Sequence, residues 1–208
     1  DDYANLLQGL LDLLSVAWRE ADIQFAVELA DALIEKFYDS EEGGFFFTAH
    51  DHENLILRPK PTVDDALPPG NGIAAIALVR LGHLLGESAY LDPAHNTLRW
   101  ARGIMERVPA GHCALLNALE ESIYPGEQIV LRGPIELMQQ WADELTVGYT
   151  PERSRYLIPY NETTTLPGYL PRLVSSEQQA LVTAYVCTGL TCSLPITTLD
   201  EVKSLLKN

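Results

Sequence analysis

The side chains with most capacity for chemistry gather in one stretch. Arg58, Lys60, Asp64, Asp65 and Asn71 lie in or beside the run Arg58-Pro59-Lys60-Pro61-Thr62-Val63-Asp64-Asp65-Ala66-Leu67-Pro68-Pro69-Gly70-Asn71. Two carboxylates near two cations can divide acid and base work when their surroundings separate their pKa values. Asp64 and Asp65 are adjacent, so one of them at most is expected to face a given pocket. In that reading Asp64 takes or gives a proton, Arg58 holds an anionic or hydroxyl-rich ligand, and Asn71 orients it. A plainer reading has the carboxylates capping backbone N–H groups and pairing with the cations nearby. Sequence leaves both open.

The thiols form a second group. Cys187 and Cys192 bracket Thr188-Gly189-Leu190-Thr191, and Cys113 stands apart. Four intervening residues differ from the two of a redox-active helix start. With no basic neighbour in sequence to activate either thiol, both are expected to be reduced, partly buried and mainly structural, with thiol redox chemistry as the rival. His50 and His52 would share a face if their segment were a strand. No third or fourth ligand follows at zinc spacing, so no metal is expected. His83 sits on an apolar helix side and reads as a core histidine. Neither a P-loop nor a G-x-S-x-G elbow is present, and no cofactor is expected.

The elements around these residues follow from periodicity. Leu6, Leu7, Leu10, Leu11, Leu14 and Trp18 recur at helical spacing, and a second helix opens near Asp22 and carries Phe25, Leu29, Leu33 and Phe37. These predict an αα-hairpin. A second hairpin is predicted from residues 71–86 and 90–107, with a further helix over 113–122. Between the hairpins, Phe45-Phe46-Phe47-Thr48 and Leu55-Ile56-Leu57 read as a strand pair. The proline-rich stretch that follows is a stiff connection ending at a helix start.

Beyond Tyr124-Pro125-Gly126-Glu127 the pattern changes to short apolar runs. Strands are expected at 128–131, 156–159 and 181–187, with helices at 135–145 and 198–206. Such alternation argues for a small, mainly parallel sheet. Two regions result: a helical one over 1–122 and an α/β one over 127–208.

Composition limits the partners. Fourteen basic residues against 29 acidic ones give a formal charge of −15, without the basic stripe that phosphate or anionic lipid requires. Nucleic-acid and membrane-surface binding are therefore disfavoured. No apolar window reaches the ~20 residues of a membrane span. The start, Asp1-Asp2-Tyr3, lacks a basic signal-peptide region, and the chain reads as part of a longer protein. The low, odd cysteine count suits a reducing, cytoplasmic setting.

Several stretches together resemble a known family. They are Asp2-Tyr3-Ala4, Gly43-Gly44-Phe45-Phe46, Arg58-Pro59-Lys60, Asp64-Asp65-Ala66-Leu67-Pro68-Pro69-Gly70-Asn71-Gly72, Tyr185-Val186-Cys187, and Thr191-Cys192 with Pro195. The chain is similar to the C-terminal part of thioredoxin-domain-containing proteins of the spermatogenesis-associated protein 20 and YyaL type. Asp65, Pro69 and Gly72 replace a glycine and two serines of that family's loop, whereas Asp64, Pro68, Gly70 and Asn71 match it. The resemblance implies part of an (α/α)6-barrel-like toroid related to N-acylglucosamine 2-epimerases and six-hairpin glycosidases, followed by a small α/β lobe. It further implies a covalently linked thioredoxin-like domain in the full-length protein. A carbohydrate-directed isomerase-like or sugar-binding role, with a carbohydrate or small polar ligand, follows by analogy. The alternatives are a non-catalytic scaffold for that domain, or a thiol redox partner acting through Cys187 and Cys192.

Overall fold

A computed structural model describes residues 1–53, 56–146, 150–151, 153–160, 166–173 and 181–206. Helices α1 (Asp2–Val16) and α2 (Glu20–Phe37) form the first hairpin, and α3 (Gly70–Leu85) and α4 (Ser88–Arg107) form the second, followed by α5 (Cys113–Ile123). The apolar spacing that predicts α1 buries Leu7, Leu10, Leu11 and Leu14. Tyr3 and Leu6, on the same helix, remain exposed. Helix α3 packs against α1, α4 and α5. It is accordingly buried nearly all round, from Gly70 to Leu85, as expected of a helix without a polar face. Gly86, at φ 68°, ends it in the left-handed conformation, and the Glu87 N–H donates to the Gly82 carbonyl across the turn.

Among the described residues the expected strand pair between the hairpins does not form. A single antiparallel bridge joins Tyr38 to Phe45, and the chain then leaves extended geometry. Ile56 and Leu57 are exposed, and Leu55 lies outside the described residues. The apolar run at 45–47 serves the helices instead of a ladder: Phe45 is buried in their shared core.

The second region holds β1 (Glu127–Gly133), α6 (Ile135–Leu145), β2 (Ser154–Pro159), β3 (Thr183–Thr188), β4 (Thr191–Cys192) and α7 (Leu199–Leu205). The sheet order is β2-β1-β3-β4. It is mixed, which corrects the expectation of a mainly parallel sheet. Only β1 and β2, linked through α6, run parallel; β3 pairs antiparallel with β1, and β4 antiparallel with β3. Connectivity accounts for two of these pairings: the crossover through α6 returns β2 parallel to β1, and the tight Gly189 turn (φ 57°) reverses β4 against β3.

Both faces of this sheet are covered. Ile129, Leu131, Leu157, Ala184 and Val186 pack with Met138 and Ala142 of α6 and Val202 of α7. The alternate residues Val130, Tyr156, Ile158, Tyr185 and Cys187 join the core of α1 to α4. The Trp18 ring meets Tyr156 edge-on at 6.0 Å between centroids, where one core serves both regions. Strand period sends odd and even residues to opposite sides, so a continuous apolar run such as β1 is what a doubly covered sheet requires.

Candidate functional site

The proline-rich connection is held by its polar side chains. The Asn71 side chain, buried at the start of α3, accepts the Phe45 N–H at 2.7 Å and donates to the carbonyls of Phe45 and Pro61, both at 2.9 Å. The Asp64 carboxylate turns the other way, accepting the N–H groups of Cys113 and Ala114 at the first turn of α5. An acid there complements the helix dipole. Arg58 donates to the Thr48 carbonyl at 2.6 Å and lies 4.1 Å over the Phe46 ring. Asp65 is exposed. Of the three residues proposed for sugar chemistry, Arg58 and Asn71 therefore engage the 45–48 segment, whereas Asp64 engages the start of α5. A cavity does border Asn71, lined by Tyr3, Phe37, Phe45, Phe46 and Phe47, but its volume is about 20 Å³. That is room for one water.

Lys60 anchors the same connection. Its ammonium donates to Asp39 at 2.7 Å and to the Gly43 carbonyl at 3.0 Å, and it sits 4.6 Å over the Trp100 ring. The Lys60 hydrogen bond holds the Asp39 carboxyl below its ordinary value, against the opposing pull of burial and with help from the Glu42 and Glu41 N–H groups. A lowered folded-state pKa gives stability that is present above the unfolded value of about 3.9 and lost as pH falls through the folded one. Lys60→Met is thus expected to lower stability at neutral pH and to flatten its decline in acid. Urea midpoints measured from about pH 2 to 7 test this, and an unchanged acid limb would refute it.

His50 is exposed, with Nδ1 3.3 Å from the Lys36 carbonyl, and His52 is exposed too. His83 is buried as expected, and burial, reinforced by the nearby His95, pushes its pKa down. Among the described residues no three metal-ligating side chains come together.

The sulfurs depart from expectation. Cys187 and Cys192 face each other in the register of β3 and β4, and they are joined as a disulfide. The expected pair of free thiols is corrected by this geometry: the x4 spacing is what a two-residue antiparallel turn needs to place two side chains directly opposite. Cys187 is fully buried, while Cys192 on the edge strand is half-buried. Cys113 is free and exposed.

Sequence reasoning missed Tyr169. Its hydroxyl lies 3.2 Å from Cys192 Sγ and 3.4 Å from the His83 carbonyl. Its own N–H donates to the Leu85 carbonyl, seating residues 166–173 on the end of α3. The signal was faint: Pro167-Gly168-Tyr169 reads as a turn, and nothing in sequence links it to a cysteine beyond it.

Helices laid over one face of a small mixed sheet, with a disulfide at its edge, define an α-rich platform with an attached α/β lobe. No family model matches the chain. It is 32% identical to human spermatogenesis-associated protein 20 over 212 residues and 30% identical to the rat protein over 210, in both cases across 99% of this chain. A 27% identical uncharacterized protein of Caenorhabditis elegans is similar across 99% as well. The chain is homologous over nearly its whole length to a part of proteins of the spermatogenesis-associated protein 20 and YyaL type. It spans 27% of the length of the human and rat relatives. No helix among the described residues is long and apolar enough to cross a membrane.

Proposed function

We propose that this chain is a non-catalytic platform, an arc of a helical-hairpin toroid, that offers its Cys187–Cys192 disulfide as a thiol-exchange partner to a thioredoxin-like domain of the full-length protein. The cross-strand disulfide at the sheet edge carries the reading. A staple is most useful when it closes a long loop, because its stabilisation grows with the chain entropy it removes. This one spans a sequence separation of 5 and closes a turn that β3 and β4 already form. Its contribution to folding is correspondingly small, and the place of the half-buried Cys192 on an edge strand suits exchange better than permanence.

The competing proposal is sugar-directed chemistry at Arg58, Asp64 and Asn71. The roles these side chains already have in joining elements, and the one-water cavity beside Asn71, favour the platform.

The test is the reduction potential of the Cys187–Cys192 pair, read by equilibrating the chain in graded thiol–disulfide buffers and quantifying free thiols by mass. A potential near that of thioredoxin, about −270 mV, is the expected result. A value well below about −300 mV marks a structural staple and overturns the reading. Sugar-library binding abolished by Asp64→Asn would restore the competing proposal.

A further inference from the structure

We infer that Cys192 is the sulfur through which exchange proceeds, and that the Tyr169 hydroxyl is the hydrogen-bond donor that stabilises its thiolate. This rests on the exchange reading above and deepens it by assigning the roles of three side chains.

The two sulfurs are unequal. Cys187 Sγ belongs to a residue with no exposed surface, facing the helical core beside Tyr185. Cys192 sits on the two-residue edge strand and, although it packs against the same core, is only partly buried. An incoming thiolate needs a clear line to the sulfur it attacks, so the edge strand offers the reachable one.

Tyr169 is placed to act on it. A disulfide sulfur carries no hydrogen, so in the 3.2 Å contact the phenol is the donor. The same hydrogen also faces the His83 carbonyl at 3.4 Å, a long contact. The hydroxyl thus has one proton and two weak acceptors. Reduction changes the balance, because a thiolate is a far better acceptor than either. Burial pushes the Tyr169 phenol up from its ordinary value, keeping the donor protonated at neutral pH. The ring cannot drift far. A Cβ on Gly86 would lie within 2.0 Å of it, and Gly168, at φ 60°, lets the segment approach so closely that a Cβ there would meet the Leu85 carbonyl oxygen.

The exchange balances as follows. A thiolate of a thioredoxin-class dithiol attacks Cys192 Sγ, the Cys187–Cys192 bond breaks, and its electron pair passes to Cys187 Sγ, which takes a proton from solvent. The second partner thiolate then attacks the partner's own first sulfur. The bond to Cys192 breaks, and its electron pair stays on Cys192 Sγ, now hydrogen-bonded by Tyr169 until it too is protonated. Two electrons pass from the partner dithiol to the cysteine pair, while the two protons lost to solvent as the partner thiols ionise are matched by the two taken up by Cys187 and Cys192.

Two measurements on the full chain test this. Incubating the oxidised chain with a thioredoxin whose resolving cysteine is replaced by serine should trap a mixed disulfide, mapped by mass spectrometry to Cys192. In a Cys187→Ser background, the pH midpoint of Cys192 thiolate absorbance at 240 nm should rise by about 1 unit when Tyr169→Phe is added, the size expected for one hydrogen bond to a charged group. A trap on Cys187 overturns the sulfur assignment, and does so even if the phenylalanine variant fails to fold. An unchanged midpoint in a folded Tyr169→Phe variant, with the trap still on Cys192, overturns the role of Tyr169 while leaving exchange intact. A shifted midpoint with no trapped complex on either cysteine overturns the exchange reading itself.

Discussion

Replacing Asn71 with alanine is expected to lower stability by about 3–4 kcal/mol, a loss near the upper end for single substitutions. The side chain satisfies three backbone groups at once: the Phe45 N–H, the Phe45 carbonyl and the Pro61 carbonyl. Alanine leaves all three unpaired in a region where Asn71 itself is only 2% exposed. An orphaned buried polar group costs about 1–3 kcal/mol, and partial entry of water lowers the total below a simple sum. The loss is structural, because these bonds tie the connection before α3 to the Tyr38–Phe45 bridge after α2. Asp64→Asn is the informative contrast. It removes a charge at a helix start but keeps an oxygen able to accept the same N–H groups, and should cost only about 0.5–1 kcal/mol. Urea denaturation of both variants checks this. An Asn71→Ala protein as stable as the parent would reopen the case for Asn71 as a ligand-binding side chain.

Gly86→Ala is expected to cost about 2–4 kcal/mol and to disturb the disulfide from a distance. Two penalties combine. The residue sits at φ 68°, where an L side chain loses roughly 1 kcal/mol or more. The added Cβ would also come within 2.0 Å of the Tyr169 ring, an overpacking that typically costs about 1–3 kcal/mol. The ring must shift, taking its hydroxyl away from Cys192 and the His83 carbonyl. Gly103→Ala is the control: Gly103 lies within α4, and a Cβ there meets nothing within 4 Å. That change should stabilise by about 0.5–1 kcal/mol through helix propensity alone. Thermal unfolding of the two variants, together with the rate of Cys192 alkylation after reduction, reads both effects. Equal stabilities would show that the turn at Gly86 relaxes freely.

How far these sites could be read in advance varied with the range of the interactions involved. Helices α1 to α6 were visible in the sequence, because an apolar stripe recurring every three or four residues is a local property of the chain. The strands β1, β2 and β3 were visible as short apolar runs for the same reason. Their pairing was not. Whether β3 joins β1 in parallel or antiparallel depends on the route between β2 and β3, which no periodicity encodes. Among the described residues the strand pair expected at 45–48 and 55–57 is absent on similar grounds: Phe45 packs in the helical core rather than in a ladder.

Residue types alone determined that this protein would be acidic, rich in helical hairpins, and joined to a smaller α/β region, and they carried its family likeness. Tertiary structure alone decided what its polar residues do. Arg58, Asp64 and Asn71 are close in sequence, but in the fold Arg58 and Asn71 bind the 45–48 segment while Asp64 turns to α5. Cys187 and Cys192 became a bonded pair because the β3–β4 register sets them opposite each other. Tyr169 reached Cys192 only because its segment docks on the end of α3. Propensity and periodicity act over a few residues and survive in one dimension. Hydrogen-bond partners and facing sulfurs depend on which distant segments share a surface, and that is settled only when the core closes.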